Sequence, residues 1–202
     1  MNRGFSLIEL IVSIGIFTLM TALVVTKYGN FNQRTLLTDT AYDVALALHT
    51  AQNYGLSVKN TSGGSNPFGY AYAIDFVNSA TGSACGAVVS SNIRFALFAD
   101  VVADGSCDGN DTAISSYALT RAATIASSGG LCVGTGASAC TAVTRMDVSF
   151  TRPNPEAKIC ASNGGAAVCG YTYAEIKIQS SDGTSRTISV RENGQISVLI
   201  PS

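Results

Sequence analysis

The chain has 202 residues, of which 47% are hydrophobic and 12% are charged, and its formal net charge is −1. The charged share is well below the usual value of about 25%, so the composition excludes a disordered polyampholyte. A net charge near zero gives no electrostatic basis for nucleic acid as a partner, and none is expected.

The first element is an apolar run over residues 5–26, which contains one charged residue, Glu9. As a helix with a rise of about 1.5 Å per residue, this run spans about 33 Å, or one hydrocarbon core. A secretory signal peptide would have a shorter apolar region followed by an A-x-A site, and neither is found here. The sequence therefore predicts a single membrane-spanning helix with a cytoplasmic N terminus, and places the rest of the chain outside the cytoplasm.

Glu9 is unusual because a carboxylate within a membrane segment costs about 2.5–3.5 kcal/mol on insertion scales. Such a residue is expected to have a partner. Cleavage between Gly4 and Phe5 would create a new α-amino group one helical turn from Glu9, at the end of a helix where a carboxylate is favoured. The amine of a neighbouring copy could pair with the same carboxylate, which would make Glu9 an assembly signal.

The stretch "RGFSLIEL" resembles the prepilin processing motif of type IV pilins and of the pseudopilins of type II secretion. That motif is a short basic leader ending in Gly, followed by Phe and then [ST]-L-[IV]-E-[LV], and residues 4–10 match it throughout. The resemblance implies a leader peptide over residues 1–4 that a prepilin peptidase removes after Gly4. It also implies N-methylation of Phe5 and pairing of Glu9 with the N terminus of a neighbouring subunit.

Helical spacing continues past the membrane segment, and no proline occurs before Pro67. Apolar residues recur at i, i+3 and i+4, which predicts an amphipathic continuation over residues 27–57 that ends near Gly55 as a C-cap. The positions predicted to face a core are Leu37, Ala41, Val44, Ala45, Leu48, Ala51 and Gln52. His49, the only histidine, lies on this helix, where a surface position is favoured over a catalytic or ligand role.

After the Gly/Ser-rich stretch at 60–69, the hydrophobic period changes to 2 and predicts strands. The predicted strands cover residues 70–77, 93–99, 144–151, 171–179, 185–191 and 195–200. Asn193-Gly194 predicts a two-residue hairpin and Ser181-Asp182-Gly183 a second turn, so the end of the chain should be a three-stranded antiparallel meander. Pro153 and Pro155 place their segment at a sheet edge or in a loop.

A long helix followed by a meander predicts an α+β fold, in which the helix packs on an antiparallel sheet of a β-rich head domain over residues 58–202. This organisation agrees with the pilin fold that the motif implies. The segments "VSFTRPNPEAKI" and "ISVRENGQISV" also look like the C-terminal region of pseudopilins and minor pilins of the GspH/FimT type.

All six cysteines lie in the predicted head domain, in polar loops: Cys85, Cys107, Cys132, Cys140, Cys160 and Cys169. An even number in such surroundings favours disulfides in an oxidising compartment. Zinc is disfavoured because there is no CxxC pair, and free thiols are the second alternative. Many pairings are possible; short local loops would join Cys132 to Cys140 and Cys160 to Cys169, leaving Cys85 with Cys107.

One acidic loop, residues 99–112, suggests a metal site. Asp100, Asp104, Asp108 and Asp111 could present several oxygens to one Ca²⁺ ion. The spacing does not match an EF-hand and the bidentate glutamate is missing, so a solvated cluster of turn residues is the competing interpretation. Apart from this calcium, no cofactor is predicted.

These features predict a structural subunit of a type IV pilus or a type II secretion pseudopilus, located in the inner membrane and then in the fibre. Its expected partners are homologous pilin or pseudopilin subunits, a prepilin peptidase and an inner-membrane assembly platform. A single-pass anchored binding domain that never polymerises is the alternative, and it would not need Glu9. An enzyme is not expected, because one histidine on a helix forms no catalytic set and no G-x-S-x-G or metal-ligand cluster occurs.

Overall fold

The structure is a computed structural model of the full chain. It describes residues 6–57, 59, 69–80, 83–85, 88–102, 104–119, 123–136 and 140–199. By its internal contacts the chain divides into two compact units, residues 1–36 and residues 37–202. The single helix among the described residues, α1, runs over Leu7–Leu56.

In the part of the chain that the structure describes, fourteen strands follow in chain order. They are β1 Ala71–Val77, β2 Ser83–Cys85, β3 Val88–Ser90, β4 Arg94–Asp100, β5 Thr112–Ala118, β6 Thr124–Ile125, β7 Leu131–Gly134, β8 Thr141–Ala142, β9 Arg145–Phe150, β10 Ala157–Ser162, β11 Val168–Tyr171, β12 Tyr173–Gln179, β13 Ser185–Arg191 and β14 Ile196–Leu199. The predicted α+β class is confirmed.

The strands form two antiparallel sheets and one small hairpin. The first sheet has the order β11-β10-β9-β1-β4-β5, and the second has the order β14-β13-β12-β7-β8, with β6 also paired to β12. Strands β2 and β3 form the separate hairpin. The last three strands are the predicted meander, with Ile176 opposite Ile188 and Ile188 opposite Val198.

The part of α1 that belongs to the second unit buries its predicted apolar stripe in a core that it shares with both sheets. Val44, Leu48 and Ala51 are fully buried in one cluster with Ile74 of β1 and Ile176 of β12. The periodicity of residues 37–52 had indicated this face, because an i, i+3, i+4 spacing places these side chains on one stripe of the helix. Gln52 lies at its margin, where its Nε2 donates hydrogen bonds of 3.2 Å to the carbonyl oxygens of Pro155 and Gly194.

Gly55 has a different role from the predicted helix cap. It lies inside α1 and is buried, and a Cβ built on it would overlap the backbone of Phe150 in β9. The absence of a side chain therefore allows the helix to approach the strand closely. The helix itself ends one residue later, at Leu56.

Two predicted connections differ from the observed ones. The predicted strand 171–179 is interrupted at Thr172, because the chain leaves the first sheet after β11 and enters the second sheet with β12. The hairpin between β13 and β14 has a three-residue loop rather than two. Arg191 N donates to Gln195 O at 2.9 Å and Gly194 N donates to Arg191 O at 2.9 Å, so Glu192, Asn193 and Gly194 form the loop.

The segment that contains Pro153 and Pro155 forms a loop in its first part and a strand in its second part. Residues 151–156, including Pro153 and Pro155, connect β9 to β10 outside any strand, as predicted. The following residues form β10, which is an internal strand between β9 and β11. The prolines precede it and therefore do not interrupt its hydrogen-bond ladder.

All six cysteines are paired: Cys85 with Cys107, Cys132 with Cys140, and Cys160 with Cys169. These are the pairs that short local loops favoured. The first bond joins β2 to the loop after β4, and the third crosses between the adjacent strands β10 and β11. Two of the three bonds thus fasten segments on the face of the first sheet that lies opposite the main core.

Candidate functional site

The N-terminal part of α1 is an uncovered apolar helix. Residues Leu7–Val25 are long and apolar enough to cross a membrane, and within the structure none of this stretch is buried. Its hydroxyl groups are satisfied locally, since Ser13 Oγ donates to Glu9 O at 2.7 Å and Thr21 Oγ1 donates to Phe17 O at 2.8 Å. Such back-bonding hides polar atoms within the helix and leaves its surface apolar.

Glu9 is the single charged residue of this stretch and lies in the first turn of α1, where it is exposed. Its backbone N–H donates to Ser6 O at 3.1 Å, so it belongs to the start of the hydrogen-bonded helix. A carboxylate at this end interacts favourably with the helix dipole. The predicted cleavage and methylation residues, Gly4 and Phe5, lie outside the described residues.

The acidic loop between β4 and β5 uses its carboxylates to fix its own backbone. Asp100 Oδ2 accepts from Gly105 N at 2.9 Å, and Asp104 Oδ1 accepts from Ser106 N at 2.8 Å. Asp111 accepts from Val101 N at 2.8 Å and from Asp108 N at 3.0 Å. Burial raises the pKa of Asp111, and these two hydrogen bonds partly offset that effect.

These hydrogen bonds give the carboxylates a role in fixing the loop that needs no metal ion. Calcium binding stays a prediction from the sequence. Among the described residues, a single group of three cysteine, histidine or acidic side chains has all its ligand atoms within 4.8 Å of one another: Cys132, Cys140 and Glu175. Its two sulfur atoms are joined in a disulfide, so the group offers one free ligand, Glu175.

Glu175 instead belongs to a polar cluster on β12. Tyr173 donates its hydroxyl hydrogen to Glu175 Oε1, and the guanidinium carbon of Arg191 lies 5.4 Å from the centre of the Tyr173 ring. Burial and the hydrogen bond to Glu175 raise the pKa of Tyr173 to about 12. A phenol that ionises so late is unsuited to act as a base near neutral pH.

A buried ionic cluster lies on the opposite face of the first sheet, beneath the β2–β3 hairpin, and the sequence analysis missed it. Asp75 of β1 and Asp147 of β9 are buried, and Arg145 Nε lies 2.8 Å from Asp75 Oδ1 and 3.7 Å from Asp147 Oδ2. Arg145 also donates to Cys107 O, and Asp147 Oδ1 accepts from Cys107 N at 3.4 Å. The cluster therefore holds the backbone of the disulfide-bonded loop against the sheet.

The two carboxyl groups of this cluster cannot both ionise easily. Burial and the charge of Asp75 raise the pKa of Asp147 well above its usual range, and burial also raises the pKa of Asp75. Arg145 favours the ionised form of Asp75, to which it is bonded. We therefore expect Asp147 to retain a proton and to share it with Asp75.

A signal for this cluster was present in the sequence. In "YAYAIDFV" and "TRMDVSFT" an aspartate occupies a strand position within an apolar alternation, and such a residue needs a partner when both faces of the sheet are covered. His49, by contrast, is exposed as predicted, with its Nδ1 3.4 Å from Gln52 Oε1. An apolar groove of about 430 Å³ between α1 and β5 is lined by one charged residue, Asp43.

Comparison with known families gives one match, at the N terminus. Residues 1–25 match the family model described as the prokaryotic N-terminal methylation motif. No curated protein and no solved structure matches the chain. The match covers the predicted leader, the predicted cleavage position and most of the apolar stretch, and it does not extend beyond residue 25.

Proposed function

We propose, from the type IV prepilin-like signal that residues 1–25 carry, that this chain is a structural subunit of a type IV pilus or of a type II secretion pseudopilus. A minor or initiating subunit is the form that the C-terminal resemblance favours. Prepilin peptidase cleaves it after Gly4, Phe5 is N-methylated, and the mature chain polymerises with homologous subunits from an inner-membrane platform.

The observation that carries this proposal is the exposed apolar helix with Glu9 in its first turn. A helix surface with no cover in its own chain must be covered by lipid or by other helices. In a membrane between assembly steps, lipid covers it; in a fibre, the helices of other subunits do. Glu9 has no use in a plain anchor, whereas pairing with the α-amino group of a neighbour offsets the cost of placing its charge in an apolar medium.

The architecture of the head domain supports a structural role. Its core is continuous between α1 and both sheets, and three disulfides cross-link its strands and loops. Disulfides are typical of chains that reach an oxidising compartment, which supports a head domain outside the cytoplasm. Cross-linked loops suit a protein that is exposed to proteases on the surface of a fibre.

The decisive experiment replaces Glu9 with Val in the full chain, in cells that assemble fibres. We expect Glu9→Val to be inserted and cleaved like the wild type but to be absent from the sheared fibre fraction. Ser13→Ala is the matched control on the same helix, because the Ser13 hydroxyl bonds only to its own backbone, and it should assemble normally. Equal amounts of Glu9→Val and wild type in the fibres would show that assembly does not depend on Glu9. Absence of the wild type itself from the fibres would favour the alternative of an anchored domain that never polymerises.

The intact mass of the mature chain provides a second test. The proposal requires the loss of residues 1–4, the gain of one methyl group and the loss of the six thiol hydrogens. A mature chain that still carries its first four residues would exclude processing and with it the proposed assembly.

A further inference from the structure

The turn before β5 contains an acceptor pattern for a covalent modification. Residues 108–112 read Asp-Gly-Asn-Asp-Thr, so Asn110 begins an Asn-x-Thr triplet without proline. Such triplets are the acceptors of N-linked glycans in exported proteins. The sequence has one other acceptor triplet, Asn-Thr-Ser at 60–62, and Asn60 lies outside the described residues.

The turn presents Asn110 to solvent. Asn110 and Gly109 are exposed, and a Cβ built on Gly109 would meet no atom within 4 Å, so the space over the turn is open. The next residue, Asp111, points the other way: it is 7% exposed and accepts hydrogen bonds from Val101 N and Asp108 N. The inward aspartate and the disulfide at Cys107 together hold the base of the turn while its tip stays accessible.

The carboxylate of Asp108 also orients the Asn110 side chain. Asp108 Oδ1 accepts from Asn110 N at 2.6 Å, and Asp108 Oδ2 accepts from Asn110 Nδ2 at 3.1 Å. An amide nitrogen is a poor nucleophile because its lone pair is delocalised into the carbonyl group. A charge-assisted hydrogen bond from its N–H to a carboxylate increases the electron density on the nitrogen, as an adjacent base does for other nucleophiles.

We propose that Asn110 is an N-glycosylation site of this protein. The donor is an oligosaccharide joined through its anomeric carbon to the phosphate group of a lipid carrier. Asn110 Nδ2 attacks the anomeric carbon, so a C–N bond forms while the C–O bond to phosphate breaks. The phosphate leaves with the bonding electron pair, and a base of the glycosyltransferase takes the proton from Nδ2.

This inference rests on one part of the proposed function, the export of the head domain to the side of the membrane where such donors are used. It assigns a role to the acidic loop that does not involve a metal. A glycan at this position would extend from the turn that the Cys85–Cys107 bond anchors, away from the core.

The test is peptide mapping by mass spectrometry of the full chain purified from the cells that produce it. The peptide that contains Asn110 should carry a glycan, and fragmentation should place it on that residue. Asn110→Gln and Thr112→Ala should abolish the modification, whereas Thr112→Ser, which keeps the hydroxyl group, should retain it. Asp108→Asn should reduce the occupied fraction several-fold, because it removes the carboxylate that orients the amide.

An unmodified Asn110 in the wild-type chain, or a glycan that persists in Thr112→Ala, would overturn the inference. The intact mass of the mature chain distinguishes failure of the glycosylation proposal from failure of the proposed function. A chain that has lost residues 1–4 and holds three disulfides but carries no glycan contradicts the glycosylation site alone. A chain that keeps its leader contradicts the proposed function itself.

Discussion

Asp75 and Asp147 lie directly opposite each other on the paired strands β1 and β9, and both side chains are buried. Like charges that face each other across a strand pair are normally destabilising. We expect the sheet to tolerate this pair because Arg145 lies against Asp75 and the raised pKa of Asp147 favours its protonated form. The cost is a dependence of the free energy of unfolding on pH.

We expect Asp147→Asn to remove most of that dependence. The pKa of Asp147 is raised in the folded state above its ordinary value of 3.8, so the folded state binds more protons than the unfolded state above that pH. Stability therefore falls as pH rises from about 4 toward the folded pKa, by up to about 1.4 kcal/mol per pH unit. Asparagine cannot ionise and still donates an N–H to Asp75.

The measurement is thermal melting of the full chain in detergent at several pH values. It is followed by the near-UV circular dichroism of tyrosine, since the chain has no tryptophan. The melting temperature of Asp147→Asn should match the wild type near pH 4 and exceed it by a growing margin as the pH rises toward the folded pKa of Asp147. The exposed Asp39→Asn should parallel the wild type at every pH, and a parallel curve for Asp147→Asn would contradict the shared proton.

The sequence was informative where a periodic pattern was long. The stripe from Leu37 to Ala51 and the strand at 185–191 follow from periods of 3.6 and 2 that continue for several turns or residue pairs, and the structure confirms both. The short strands β6 and β8, with two residues each, have no period to detect. They exist because neighbouring strands offer them hydrogen-bond partners, which is a tertiary effect.

The candidate sites also differ in whether their residues lie close together in the sequence. The motif around Glu9 is local in sequence and was recognised, whereas the cluster of Asp75, Arg145 and Asp147 joins residues from two strands 70 positions apart. Neither strand alone shows that its aspartate will meet the other. The acidic loop was noticed, but its composition alone could not show that its carboxylates accept backbone hydrogen bonds from the loop.

Two glycines in successive hairpins provide a matched pair of substitutions. Gly183 and Gly194 have φ values of 83° and 82°, and each follows an Asp or Asn in the turn. A Cβ on Gly183 meets open space, whereas a Cβ on Gly194 would overlap Pro155 O. Gly183→Ala should lower the free energy of unfolding by about 1–2 kcal/mol, because alanine is strained in the left-handed backbone. Gly194→Ala should lower it by about 1–3 kcal/mol more, because of the overlap with Pro155 O.

Chemical denaturation of the two variants, with the full chain in detergent, measures this difference. The additional cost arises because the loop at residues 192–194 rests against the segment that connects β9 to β10, where Gln52 also bonds. Equal destabilisation by both substitutions would show that Pro155 moves aside freely and that the contact does not contribute to stability.

The Tyr173–Glu175 hydrogen bond predicts a shift in an alkaline titration. Burial and Glu175 raise the pKa of Tyr173 to about 12. Glu175→Gln removes the negative charge and the strong acceptor, so the pKa of Tyr173 should fall toward 10 while burial keeps it somewhat above. Site-resolved NMR of labelled tyrosine follows this ionisation, and Tyr173→Phe assigns the signal; an unchanged midpoint in Glu175→Gln would show that burial alone sets the pKa.

The disulfides should differ in what their removal costs. Cys85 and Cys107 are fully buried and are separated by 22 residues, whereas Cys132 and Cys140 are separated by 8 residues and Cys140 is exposed. Loop entropy alone predicts losses of about 3.4 and about 2.6 kcal/mol. Replacing both buried cysteines with alanine also leaves a cavity beside Ala73 and Phe98, which adds to the cost.

We therefore expect the double variant Cys85→Ala/Cys107→Ala to unfold at a clearly lower urea concentration than Cys132→Ala/Cys140→Ala, both measured on the full chain in detergent without reductant. Changing both partners avoids a free thiol that could mispair. The larger effect has a structural cause, because the Cys107 backbone is also hydrogen-bonded to Arg145 and Asp147. Loss of the Cys85–Cys107 disulfide should therefore loosen the loop and expose the carboxyl pair of Asp75 and Asp147. Equal midpoints would mean that the ionic cluster holds the loop without the disulfide, and the pH dependence of Cys85→Ala/Cys107→Ala would then match that of the wild type.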